Sequence, residues 1–207
     1  MANPIGRSGP TADEALARLI AGNERFLRGE AHAGGLRRET LTDLAKGQRP
    51  FATILGCSDS RVPPEWVFDA GLGELFVVRV AGNVVSQEIA GSLQYASAHL
   101  QTPLFVVLGH EGCGAVGAAL ETKHTGAVHH SRIQRLVENI LPGLPEPDAR
   151  LPLHEQLGRA IESNVRWTMR RIAESPEGRA HLAEGGMKIV GAVYEIESGR
   201  VRFLPGE

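Results

Sequence analysis

Three short runs of mainly apolar residues set the fold of this chain: Phe51 to Leu55, Glu74 to Val80 and Leu104 to Leu108. None alternates apolar with polar side chains, so each suits a strand buried on both faces, the environment of a parallel sheet covered by helices. Between the second and third runs, Ile89, Leu93, Ala96 and Leu100 recur at helical intervals and predict an amphipathic helix over about 87–101. A crossover of that length joins parallel strands.

The remaining segments fit around this unit. Thr11 and Glu14 form a capping box ahead of Leu16, Leu19, Ile20 and Phe26, which predicts a helix over 12–28. Residues 40–46 predict a short helix ended by Gly47. Further helices are expected from near Cys113, with Val116, Ala119 and Leu120 inward, and over 129–141 and 154–174. The last carries Leu157, Ile161, Val165, Met169 and Ile172 on one stripe. Lys188 to Ile196 and Val201 to Leu204 flank Glu197-Ser198-Gly199, a hairpin signal. The predicted fold is α/β, with a mostly parallel central β-sheet flanked by helices, an N-terminal helical arm and a C-terminal strand hairpin. One domain is expected over 1–207: the arm over 1–46, a core over 47–120, and helices and hairpin over 121–207. The proline-studded stretch 142–152 is a connection within it.

Charge and cysteine usage exclude several functions. Lys and Arg number 22 against 24 Asp and Glu, so the basic surplus of a nucleic-acid partner is missing. Two cysteines cannot build a disulfide framework, and MANPIGRSGP has neither the basic cluster nor the apolar run of a secretory signal. No apolar stretch approaches the ~20 residues of a membrane-spanning helix. A cytoplasmic protein without a membrane or nucleic-acid partner is expected.

The chemistry-bearing residues lie at strand ends. Cys57 and Asp59 follow the first run in Gly56-Cys57-Ser58-Asp59-Ser60-Arg61, and His110 and Cys113 follow the third in Gly109-His110-Glu111-Gly112-Cys113-Gly114. Ligands of open α/β sheets bind beyond the carboxyl ends of the strands, so the two groups can meet in space. Two thiolates and an imidazole are the ligand set of a catalytic zinc site that keeps its fourth position for water or substrate. Other readings stand beside this one. A buried Cys is often a small core hydrophobe, His110 could serve a backbone carbonyl, and the glycines could mark a strand-to-helix turn. Cys57 and Cys113 could form a redox pair, with Cys113 activated at a helix N-terminus, although no C-x-x-C is present. Cys57 and Arg61 could cradle a phosphate, which Asp59 between them would repel. The metal reading gains from both cysteines of the chain falling at strand ends, one near His110 and the other near Asp59.

Cys57-x-Asp59-x-Arg61 followed by His110-x-x-Cys113 resembles the signature of the β-class carbonic anhydrases. The similarity extends through Ser58-Asp59-Ser60-Arg61-Val62-Pro63, Gly73-Glu74-Leu75-Phe76-Val77-Val78-Arg79, Gly91-Ser92-Leu93-Gln94-Tyr95-Ala96 and Gly109-His110-Glu111-Gly112-Cys113-Gly114-Ala115, most densely over 47–118. The resemblance implies Zn2+ held by Cys57, His110 and Cys113, with Asp59 and Arg61 paired beside it, and reversible hydration of carbon dioxide to bicarbonate. It implies a narrow site at the interface of a homodimer or dimer of dimers, to which Gln48, Phe76 and Tyr95 contribute. In the family the N-terminal helix reaches onto a second subunit, and here Leu16, Leu19, Ile20 and Phe26 have no obvious sheet partner. Arg61 would keep the Asp59 carboxylate ionised and in place. Two thiolates cancel the formal charge of the metal, which favours activity at alkaline pH. The same metal site would serve hydrolysis of carbonyl sulfide or carbon disulfide; a thiol redox or zinc-sensing protein is the non-enzymatic alternative. Some members close their site through a bicarbonate pocket that includes a tryptophan three residues before the first zinc cysteine. Ile54 stands there and has no N–H to offer, so this switch is not expected, although Arg79 could still supply charge. His124, His129 and His130 could ferry protons but read first as solvated side chains.

Overall fold

The computed structural model describes residues 9–31 and 38–206. Its centre is a five-stranded sheet in the order β2-β1-β3-β4-β5, with β1 Ala52–Gly56, β2 Leu75–Arg79, β3 Leu104–His110, β4 Lys188–Tyr194 and β5 Val201–Phe203. The first four strands are parallel and β5 runs antiparallel to β4. This is the predicted mostly parallel α/β sheet with its terminal hairpin. Every residue of β1 and β3 is buried, as their unbroken apolar runs require. β2 departs from that expectation: it lies at the edge of the sheet, and only Val78 within it is buried.

Among the described residues, eight α-helices surround the sheet: α1 Ala12–Leu27, α2 Arg38–Leu44, α3 Pro64–Val67, α4 Gln87–Tyr95, α5 Gly114–Thr125, α6 Ser131–Ile140, α7 Leu153–Ala173 and α8 Pro176–Ala183. α4 widens into a π turn over Ala96–Leu100 and stops at Gln101, whose φ is 53°. Because side chains alternate along a strand, each sheet face carries its own core. On one face Leu55, Val78, Phe105 and Val107 meet Val116 and Leu120 of α5 and Ile161 and Val165 of α7. On the other, Ile54, Leu104, Val106 and Leu108 meet Leu19 of α1 and Val67 and Phe68. Full burial of a side chain such as Leu19 stabilises by about 1.5–3 kcal/mol. None of the helices is long and apolar enough to cross a membrane among the described residues.

α1 finds within its own chain a partner that the sequence did not show, while Ile20 of its apolar stripe stays 40% exposed. The capping box of the helix forms as predicted, and its apolar face finds that partner in the chain's own sheet, where Ala15 and Leu19 are fully buried. Buried Asn23 fixes the docking, donating to the carbonyls of Val67 at 3.1 Å and Gly199 at 3.0 Å and accepting from Val201 N–H at 2.9 Å. Gly22 permits the close approach, since a Cβ there would lie 1.9 Å from the Phe68 carbonyl oxygen. The apolar stripe was thus legible, and its partner is the surface formed by α3 and the β4-β5 hairpin.

Candidate metal centre

Strand register delivers the site residues to one edge. Gly56 sits opposite Arg79 on one side and Leu108 on the other, so the carboxyl ends of β2, β1 and β3 open onto a common crevice. Cys57 leaves β1 there, His110 ends β3, and Cys113 precedes the first turn of α5. Their Sγ, imidazole nitrogen and Sγ atoms all lie within 4.8 Å of one another, and all three residues are buried. The juxtaposition expected from the sequence is present.

His110 is fitted for a metal by its backbone. Its Nδ1 lies 2.9 Å from the Glu111 carbonyl oxygen, an acceptor only, which fixes the proton on Nδ1 and leaves Nε2 with its lone pair. That Nε2 is fully buried and has no hydrogen-bond partner. An orphaned, desolvated acceptor beside two cysteine sulfurs is costly by itself, and a thiophilic, imidazole-binding cation such as Zn2+ satisfies all three groups at once. Pairing with the Cys113 side chain holds the Cys57 pKa down against burial, with the Gly82 and Asp59 N–H groups adding to the effect; the same pairing and burial push Cys113 up. Burial opposes charge on His110, yet the neighbouring Cys57 thiolate leaves its pKa raised.

Asp59 stands at the rim. Its Oδ2 lies 3.9 Å from His110 Nε2, so the carboxylate faces the sulfur and imidazole donors. Arg61 grips it through Nε at 2.9 Å, Nη2 at 2.8 Å and its own backbone N–H at 3.0 Å. The Arg61 side-chain bonds hold the Asp59 carboxyl well below the usual carboxylate range, with the Arg61 backbone N–H adding to the effect.

Gln48 and Tyr95 are exposed, whereas Phe76 is half-buried and packs against the core that contains Cys57 and Cys113. The rings of Phe76 on β2 and Tyr95 at the end of α4 are 6.1 Å apart, and Tyr95 is 48% exposed and also stacks on His99 at 5.0 Å. Of the histidines in and beyond the last turn of α5, His129 lies 3.3 Å from the Ala118 carbonyl through Nε2, while His124 and His130 are exposed.

The sequence reading assigned Arg79 only a possible charge, and the structure gives it a specific contact. From the end of β2 it donates through Nε to the Cys57 carbonyl at 2.9 Å and through Nη2 to the Asp59 carbonyl at 2.5 Å. A basic residue at the carboxyl end of the strand next to Cys57 was the available signal. Ile54 is fully buried in hydrocarbon.

A family model described as carbonic anhydrase matches residues 52–201. Carbonic anhydrase 2 of Mycobacterium tuberculosis is 39% identical over 184 residues, covering 88% of this chain and 87% of that protein. The carbonic anhydrase of Mycolicibacterium smegmatis is 37% identical and covers 89% of each chain. Among solved structures, the Coccomyxa β-carbonic anhydrase in complex with acetazolamide superposes with a TM-score of 0.72 at 27% identity, covering 91% of this chain and 86% of that one.

Proposed function

The chain belongs to the β-carbonic anhydrase family and catalyses the reversible hydration of carbon dioxide; from that premise we propose that Cys57, His110 and Cys113 hold Zn2+ and that Asp59 and Arg61 carry the chemistry beside it. The observation that carries this assignment is the buried, unpartnered His110 Nε2 within 4.8 Å of both cysteine sulfurs. Bound zinc supplies the Lewis acidity that makes water a nucleophile near neutral pH. The residues of the chain then govern its direction. Asp59, ionised and facing the donor set, would accept a hydrogen bond from the nucleophilic water and so orient it toward carbon dioxide. Arg61 holds that carboxylate in place, because moving it breaks a two-pronged charged contact. Arg79 fixes the backbone carbonyls on either side of Ser58, so a metal ligand and the orienting carboxylate move as one rigid loop.

A redox pair uses the two sulfurs but gives the orphaned His110 nitrogen no role. Both thiols are free, which suits a reducing compartment, and we assign the protein to the cytoplasm. We further assign a homodimeric unit in which Gln48, Phe76 and Tyr95 of one subunit wall the metal site of the other. Phe76 and Tyr95 support this by forming an aromatic patch at an uncovered sheet edge.

Metal analysis with a stopped-flow hydration assay on reduced, purified protein tests the assignment. About one zinc per chain with proton release on mixing with carbon dioxide is expected; below about half a zinc, with reversible Cys57–Cys113 oxidation, the redox reading replaces it. A fully active monomer in sedimentation would defeat the shared wall.

A further inference from the structure

The interior of α7 carries two polar residues that the carbon dioxide chemistry described above leaves without a task. Asn164 and Thr168 are 1% and 2% exposed among the apolar side chains of the larger core. One turn apart on α7, both reach the same short segment. Asn164 Nδ2 donates to the Gly82 carbonyl at 2.9 Å, and Thr168 Oγ1 donates to the Asn83 carbonyl at 3.2 Å. Gly82 in turn points its N–H at Cys57 Sγ, 3.4 Å away. A continuous polar path therefore runs from a buried helix face, through one turn of backbone, to a cysteine of the proposed metal set.

The turn needs holding. Gly82 has φ 71° and Asn83 has φ 45°, both in the left-handed region, which a residue other than glycine occupies at a cost. Gly82 is also packed so tightly that a Cβ would meet Ile140 Cδ1 at 2.7 Å and Ala115 Cβ at 3.1 Å. The Asn164 amide makes this single hydrogen bond, its Oδ1 having no partner. An apolar side chain would be easier to bury at that position, so the amide is best accounted for by what it fixes.

Resting on the zinc assignment above, we propose that Asn164, assisted by Thr168, is a positioning residue that locks the 81–83 turn so that the Gly82 N–H stays aimed at the Cys57 thiolate. Hydrogen bonds to a ligating sulfur draw charge from it and so tune the metal's electronics. Without this bond the Cys57 thiolate becomes the more electron-rich donor.

The test uses the full chain reconstituted with Co2+ under reducing, oxygen-free conditions, reading the sulfur-to-cobalt charge-transfer band. Asn164→Leu and Thr168→Val should shift the band to longer wavelength, the first more than the second, and Thr168→Ser should restore the wild-type position. A purely structural Asn164 would instead lower the melting temperature with the band unmoved, which overturns the proposal. Should Asn164→Leu not fold, the Thr168 pair decides: a shifted valine variant with an unshifted serine variant supports the lock, and two unshifted bands overturn it. If the wild-type protein shows no such band, the metal assignment itself has failed.

Discussion

Arg79 is the strongest test of how the reactive loop is held. Its guanidinium makes two charged hydrogen bonds, to the carbonyls of Cys57 and Asp59 at 2.9 and 2.5 Å. A hydrogen bond to a charged group contributes about 1.5–3 kcal/mol net, so Arg79→Met removes at most about 3–6 kcal/mol. Water can reach the partly buried loop and replace part of that loss, which brings the expected cost to about 2–3 kcal/mol. If that energy is what favours the productive loop arrangement, kcat/KM falls by about 30- to 150-fold. Arg79→Lys keeps the charge but not the planar fork, so it should fall between wild type and Arg79→Met. Stopped-flow hydration gives the rate, and the rate of zinc transfer to excess chelator reports separately on Cys57. Wild-type values of both in Arg79→Met would refute the argument, leaving the Asp59–Arg61 contact and the Gly82 N–H as sufficient to hold the loop.

Asp59→Asn should retain fold and zinc while losing about 10²-fold or more in kcat; Arg61→Ala should do likewise, and wild-type turnover in both reduces the pair to a surface contact. Because its folded-state pKa is depressed, Asp59 contributes stability that is present above the ordinary carboxylate range and is lost only as pH falls through the depressed value. Urea titrations of wild type and Asp59→Asn should accordingly differ by a constant amount from pH 6 to 9, and a difference that shrinks with acidification inside that window contradicts the assignment. With Ile54 fully buried in hydrocarbon and two Arg79 nitrogens engaged on carbonyls, the pH–rate profile should show one titration with or without added bicarbonate; sigmoidal bicarbonate inhibition would show that other residues build the pocket. Asn23→Ala removes three hydrogen bonds between α1 and the domain, worth about 2–4 kcal/mol together. A fall of about 5–15 °C in melting temperature is expected, and an unchanged one would mean α1 is not docked on its own subunit in solution.

The elements that sequence reasoning located are those whose burial leaves a periodic trace. β1, β3 and β4 are apolar runs, and α7 carries its stripe through Ile161, Val165 and Ile172 to full or near-full burial. α3 was missed because Pro63-Pro64 reads as a turn and four residues are too few for a period to show. α8 was missed for a different reason. Its start is well marked by Ser175, whose side chain caps Gly178 N–H, and by Pro176, but it buries only Gly178 and so has no apolar stripe. The π turn after α4 was invisible because Ala96 and Leu100 keep ordinary helical spacing while the backbone widens beneath them.

The clustering of Cys57, His110 and Cys113 was legible for a reason that does not extend to its surroundings. The chain has only two cysteines, and parallel topology sends the carboxyl ends of β1 and β3 to one edge, so position along the chain translates directly into proximity. The supporting contacts use backbone atoms as partners: Arg79 binds two carbonyls, Asn164 one, Glu111 offers one to His110, and Gly82 contributes an N–H. Every residue except proline has those atoms, so the partner leaves no mark in the sequence; only the side chain that reaches for it does. Asn164 and Thr168 were in principle detectable on that ground. They interrupt the buried face of α7 beside Ile161, Val165 and Ile172, where solvent cannot satisfy an amide or a hydroxyl. A polar residue at such a position must hydrogen-bond to something within the fold, and on α7, which packs against β3, β4 and the 81–83 turn, Asn164 and Thr168 find the Gly82 and Asn83 carbonyls of that turn.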